Sequence, residues 1–156
     1  MTNYISPTAM IGKVKLGKNI YIGNNAVIGT QPQYVGFDKK KILENKFKNL
    51  HIEDNVVIMD LCHIDAGIKR NTKIGKNVSI GDFCVIGPNV EIGDDCKLVN
   101  SVNIQGNTKI GKDTKVFPFA SIGTQPQDLK FKNEQNSLLI GEKNIIREYV
   151  TINPGT

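Results

Sequence analysis

An apolar run of the roughly 20 residues that a membrane-spanning helix needs is missing from this 156-residue sequence. The opening Met1-Thr-Asn-Tyr-Ile-Ser-Pro has no basic leader followed by an apolar core, so a cytoplasmic protein with no membrane span is expected. Cysteine is scarce: three residues cannot all pair within one chain, and Cys62, Cys84 and Cys96 lack the Cys-x-x-Cys spacing of a zinc knuckle. With two histidines, a metal centre of three histidine ligands is out of reach of one chain, and no tightly bound cofactor is expected. Aromatic residues make up 6% of the chain and none stud a basic motif. The net charge of +5 is spread along the sequence, so it points away from nucleic acid and towards an anionic small substrate or an acidic carrier protein. At 39% hydrophobic and 22% charged, the chain has the composition of one soluble domain, 1–156.

What fills the chain is a period of six. Ile74, Ile80, Ile86, Ile92, Leu98, Ile104, Ile110, Val116 and Ile122 fall at that spacing, and the same grid extends back through Met10, Leu16, Ile22 and Ile28 and resumes at Ile140, Ile146 and Ile152. Four residues after each aliphatic stands a small or β-branched residue, among them all three cysteines, which are therefore expected to be buried packing residues. The residue directly after the aliphatic is often glycine, where a corner needs φ freedom or close backbone approach. A period of six does not fit 3.6 and is too short for helical repeats, so the expected fold is all-β: a triangular parallel solenoid with three hexads per coil. About six coils at the ~4.8 Å strand spacing would stand roughly 30 Å tall.

Three interruptions break the rhythm, with loops expected at about 29–50 and 123–139 and a smaller one at 65–73. The two long ones open identically, Ile28-Gly-Thr-Gln-Pro-Gln33 and Ile122-Gly-Thr-Gln-Pro-Gln127, and close on matching returns, Leu50 to Gly67 and Leu138 to Gly155. The chain thus holds an imperfect internal duplication, with Tyr34 where the second copy has Asp128 and His63 where it has Thr151. A loop inserted without disturbing a repeat's phase is a place to look for function. The run Asp38-Lys-Lys-Lys41, with Lys46 and Lys48, reads as a solvated face or a docking site for an acidic partner.

The hexads resemble those of the left-handed β-helix acyltransferases. From about Lys73 onward the chain is similar to the UDP-N-acetylglucosamine O-acyltransferases of lipid A biosynthesis. The carrying residues are Phe119-Ala-Ser-Ile-Gly123, Pro126-Gln-Asp-Leu-Lys-Phe131 and Ile146-Arg-Glu-Tyr-Val-Thr-Ile152 with Gly155-Thr156. The resemblance implies a left-handed coil, a homotrimer with sites in the clefts between prisms, and transfer of a 3-hydroxyacyl group from acyl carrier protein to UDP-N-acetylglucosamine. It also implies that Gln127 and Asp128 contact the glucosamine, Lys130 the diphosphate, and Arg147 the substrate. Carboxylates accept from sugar hydroxyls and ammonium groups offset phosphate charge, which fits those roles. Arg147 and Glu148, as strand neighbours, are expected to face opposite sides.

The family's general base is a histidine about one coil past Thr156, which this sequence does not contain, so a chain truncated at its C-terminus is expected. Of the two histidines present, His63 is the catalytic candidate, because Asp65 shares its strand face and could orient it. Two other readings stay open. One is an acetyl-CoA-dependent sugar O- or N-acetyltransferase, and the other a catalytically inactive trimer that binds a sugar nucleotide.

Overall fold

The structure, a computed structural model, describes residues 2–32, 47–132 and 134–155. Among them the chain forms twenty parallel strands of two to four residues. Each strand pairs with the one three places on, giving sheets of seven, seven and six strands that form the three walls of a prism. Hexads stack in register. In the first sheet Ile58, Ile80, Leu98, Val116 and Ile146 form one column, and in the second Ile28, Ile64, Ile86, Ile104, Ile122 and Ile152 do. Leu16, Ile52, Ile74, Ile92, Ile110 and Ile140 run up the third. These side chains fill the prism, most of them fully buried, each worth roughly 1.5–3 kcal/mol of apolar transfer. Cys62, Cys84 and Cys96 are buried free thiols on the inner corner column, as their spacing predicts.

Two expectations need correction. Met10 does not face inward: Ile11 pairs with Ile28 while Met10 pairs with Val27, and Met10 is 61% exposed. The step from Ile11 to Leu16 is five residues because the corner closes tightly, with Val14 N–H donating back to Gly12 O at 3.1 Å. Nor is the φ freedom lodged in the glycine after the aliphatic. Positive φ falls two residues later, on Asn19, Asn55, Asn77, Asp95 and their equivalents. The glycines serve close approach instead: a Cβ on Gly75 would stand 2.7 Å from the backbone nitrogen of Asp94 in the next coil. Gly29 and Gly123 are the exceptions, at φ 70° and 76°, where the chain leaves the second sheet for its loops.

The three corners differ in chemistry. Between the third and first sheets, Asn19, Asn55, Asn77 and Asp95 form a ladder of side-chain hydrogen bonds of 2.9–3.1 Å. Between the first and second, the positive-φ position holds Leu61, Phe83, Phe119 and Tyr149, an exposed apolar column in which Phe119 and Tyr149 stack at 5.2 Å. The corner between the second and third sheets carries the insertions.

Candidate functional site

The second insertion leaves the prism at Gly123 and returns at Leu138. Its base is clamped by Asn153, whose Nδ2 donates to Thr124 O, Thr124 Oγ1 and Gln125 O, each at 3.0 Å. Pro126 is buried, and beyond it Gln127, Asp128, Leu129 and Lys130 are all exposed. Asp128 shapes the tip: its Oδ1 accepts from Lys130 N–H at 2.9 Å and its carbonyl from Phe131 N–H at 3.0 Å. This Asx turn leaves carboxylate, amide and ammonium side chains presented together on one exposed turn.

Arg147 lies elsewhere. It follows the strand Ile145–Ile146, at the corner between the first and second sheets, one full wall away from the loop. Its guanidinium stacks 4.1 Å from the Phe117 ring centroid, with Lys115 Nζ also over that ring at 4.6 Å. The expectation that Arg147 and Glu148 face opposite sides is wrong: both are corner residues rather than strand residues, and they pair side by side at 2.9 and 3.2 Å. The guanidinium beside it holds the Glu148 carboxyl below its usual range. Within one chain, therefore, Arg147 and the Gln127–Lys130 tip do not meet.

His63 stands on the outer face of the second sheet, between Val27 and Val85 on the flanking strands. Its Nε2 donates to Asp65 Oδ1 at 2.9 Å, the contact expected from their spacing. The Asp65 hydrogen bond pushes the imidazole pKa up, partly opposed by burial; burial in turn pushes the Asp65 carboxyl up, partly opposed by His63. Three strand steps separate His63 from Ser121, at the base of the second insertion, which is about 14 Å along the prism. His51, the other histidine, lies on the third sheet between Lys15 and Lys73, and burial followed by those two charges lowers its pKa. Tyr34, Asp38 to Lys41 and Lys46 lie outside the described residues. Lys48 is described, and its N–H donates to Gly67 O at 2.7 Å.

One feature escaped sequence reasoning. Between the insertions, the plain corner Pro88–Asn89 is recessed. It forms the floor of a notch walled by Ile68 and Lys69 on one side and Gly106 and Asn107 on the other, with a volume of about 330 Å³. A contiguous cleft of about 470 Å³ runs under Glu134, Gln135 and Asn136. The one available signal was that the 65–73 and 123–139 interruptions share a corner by phase.

Residues 71–106 match the family described as bacterial transferase hexapeptide (six repeats). Over 94 residues the chain is 50% identical to an acyl-carrier-protein-dependent UDP-N-acetylglucosamine O-acyltransferase of Rickettsia peacockii, covering 60% of this chain and 36% of that protein. The enzyme of the same name from Helicobacter pylori is 60% identical over 52 residues, 33% of this chain and 19% of that one. The chain thus spans about a third or less of the length of these relatives. Among solved structures, a UDP-N-acetylglucosamine acyltransferase from Bacteroides fragilis superposes with a TM-score of 0.62 at 23% identity, over 78% of this chain and 49% of that one. The chain is a hexapeptide-repeat, left-handed parallel β-helix similar to the UDP-N-acetylglucosamine O-acyltransferases.

Proposed function

We propose that this chain is a single β-helical domain of an acyltransferase of lipid A biosynthesis, moving a 3-hydroxyacyl group from acyl carrier protein to UDP-N-acetylglucosamine. The observation that carries the reading is the Gln127–Lys130 tip, held out from the prism by the Asn153 clamp with its polar side chains exposed. In this reading Gln127 and Asp128 take the glucosamine hydroxyls and Lys130 the diphosphate, by charge-assisted hydrogen bonds. The 50% identity to enzymes bearing this activity in their names supports it.

The working unit in this reading is a cytoplasmic homotrimer. The outer positions of the second sheet, Val27, His63, Val85, Asn103, Ser121 and Thr151, carry no Lys, Arg, Asp or Glu, whereas the third sheet presents Lys15, Lys73, Glu91 and Lys109. Charge-poor faces are the ones that interfaces bury. If the second sheets face a threefold axis, the loop corner of each prism abuts the apolar corner of the next. Leu61, Phe83, Phe119 and Tyr149 are then covered, and Arg147 of one prism comes to the sugar tip of its neighbour.

The test is a titration of UDP-N-acetylglucosamine into wild type and Asp128→Ala. Losing one charge-assisted hydrogen bond of about 1.5–3 kcal/mol predicts roughly a 10- to 150-fold weaker Kd. Equal affinity would retire Asp128 as a ligand. Acyl carrier protein thioesters consumed in preference to acetyl-CoA would fix the donor, and the reverse preference would reject it.

A further inference from the structure

The internal duplication produces two loop-and-return units on one corner of the prism, and they differ where it matters chemically. In the second unit Asn153 donates to Thr124 and pins the loop base. In the first unit the equivalent pair is Asp65 and Thr30, which are register partners across the second sheet. A carboxylate cannot donate as an amide does, and here it has turned away to accept from His63 at 2.9 Å. Thr30 Oγ1 is left buried with no hydrogen-bond partner among the described residues. A buried hydroxyl in that state costs about 1–3 kcal/mol. The clamp has been given up at a price in stability, and what replaces it is a histidine held by a buried carboxylate.

We propose that His63, Asp65 and Thr30 form a second site on this chain, three coils from the sugar tip, at which His63 takes the proton from a hydroxyl of a sugar-like acceptor. Its chemistry rests on the acyltransferase reading for the donor, an acyl thioester. With Nε2–H committed to Asp65, Nδ1 is the ring nitrogen left to act as base. The acceptor oxygen attacks the thioester carbonyl carbon as its proton passes to Nδ1. The C–O bond forms, the C–S bond breaks, and the leaving thiolate takes the proton back from the imidazolium. His63 is the catalytic residue, Asp65 a positioning residue that fixes tautomer and ring orientation, and the Thr30 hydroxyl is a spare donor for a second acceptor oxygen. The surroundings suit a polyol. Val27 and Val85 flank the ring, and one coil further lies the amide pair Asn103–Gln105, joined at 2.9 Å, with the Gln105 side chain lying over Gly87.

The experiment is thiol release from an acyl-pantetheine thioester with N-acetylglucosamine as the acceptor. His63→Gln is expected to slow release about 100-fold or more, and Lys97→Ala, on the outer face of the first sheet, to leave it unchanged. Asp65→Asn separates catalysis from structure. It restores the second unit's amide, so the thermal midpoint should hold or rise while release falls at least tenfold. Its pH profile should also shift: release rises with pH as the imidazole loses its proton, and without Asp65 that rise moves to lower pH. No charged side chain stands at the register partners Val27 and Val85, so Asp65 is the charge that sets it. Absence of release by wild type, or release indifferent to His63→Gln or to Asp65→Asn, overturns the site. Binding of UDP-N-acetylglucosamine is read separately. A chain that binds it without His63-dependent release loses only the dyad, and one that releases thiol through His63 without binding it loses only the sugar tip.

Discussion

Replacing Gly81 and Gly87 by alanine, one at a time, makes the same chemical change at the same repeat position one hexad apart, yet the two outcomes should differ. A Cβ on Gly81 would overlap the carbonyl oxygen of Val99 in the next coil and stand 2.6 Å from its carbon. Backbone cannot rotate away, so the coils must part by more than an ångström out of a spacing of ~4.8 Å. The hydrogen bond from Gly81 N–H to Leu98 O, 2.9 Å long, lies in the path of that movement. Overpacking of about 1–3 kcal/mol plus about 1 kcal/mol for the bond, less the roughly 0.4–1 kcal/mol alanine gains through the unfolded chain, leaves about 1–3.5 kcal/mol of destabilisation. A Cβ on Gly87 meets only the side chain of Gln105, overlapping its Oε1 and standing 2.9 Å from Cδ. That side chain can swing clear for the loss of its bond to Asn103, about 1 kcal/mol, which the alanine's gain largely cancels. Urea unfolding followed by far-ultraviolet circular dichroism reads the pair. Gly81→Ala should lower the midpoint at constant slope, and Gly87→Ala should leave it within error. A Gly81→Ala protein as stable as wild type, or two equal losses, would refute the claim that these glycines exist for coil-to-coil approach.

Asn153→Ala should cost about 1–2 kcal/mol and speed amide exchange across 124–132 without touching the core strands, measured by hydrogen exchange. The raised His63 pKa makes a stability contribution that is fully present below the ordinary value of 6.5 and lost as pH rises through the folded value. Urea midpoints taken across that window should fall with pH in wild type and lose that step in Asp65→Asn. Phe83→Asn puts the residue that best tolerates positive φ at φ 60° and removes an exposed ring, so it should stabilise the isolated prism by up to about 1 kcal/mol while weakening self-association. Thermal melts and sedimentation velocity read those two effects independently, and unchanged association would count against the apolar corner as a subunit contact.

The fold was legible because its cause is local and periodic. Ile80, Ile92 and Ile104 are inward for the same reason that they recur every six residues, since a flat strand, a corner and an inward pair repeat identically in each coil. Met10 was misplaced because nothing in the spelling of 10–16 marks a corner that closes one residue short. The positive-φ position was misassigned because glycine permits two things, freedom and close approach, and the next coil decides which is used. The contact of His63 with Asp65 followed from a period of two along one strand. That Asp65 had left Thr30 unpartnered did not, because it depends on which way a carboxylate turns when two copies of a unit diverge.

By itself, then, the order of residues determined the three-walled prism, its buried columns and the places where the chain departs from it, since each of these is a repeat or a break in one. Only the tertiary structure decided which corner each departure occupies. It put Arg147 a wall away from the sugar tip and His63 three coils from it, because stacking turns distance along the chain into position around and along the prism, and that conversion rests on contacts between coils rather than on neighbours in sequence.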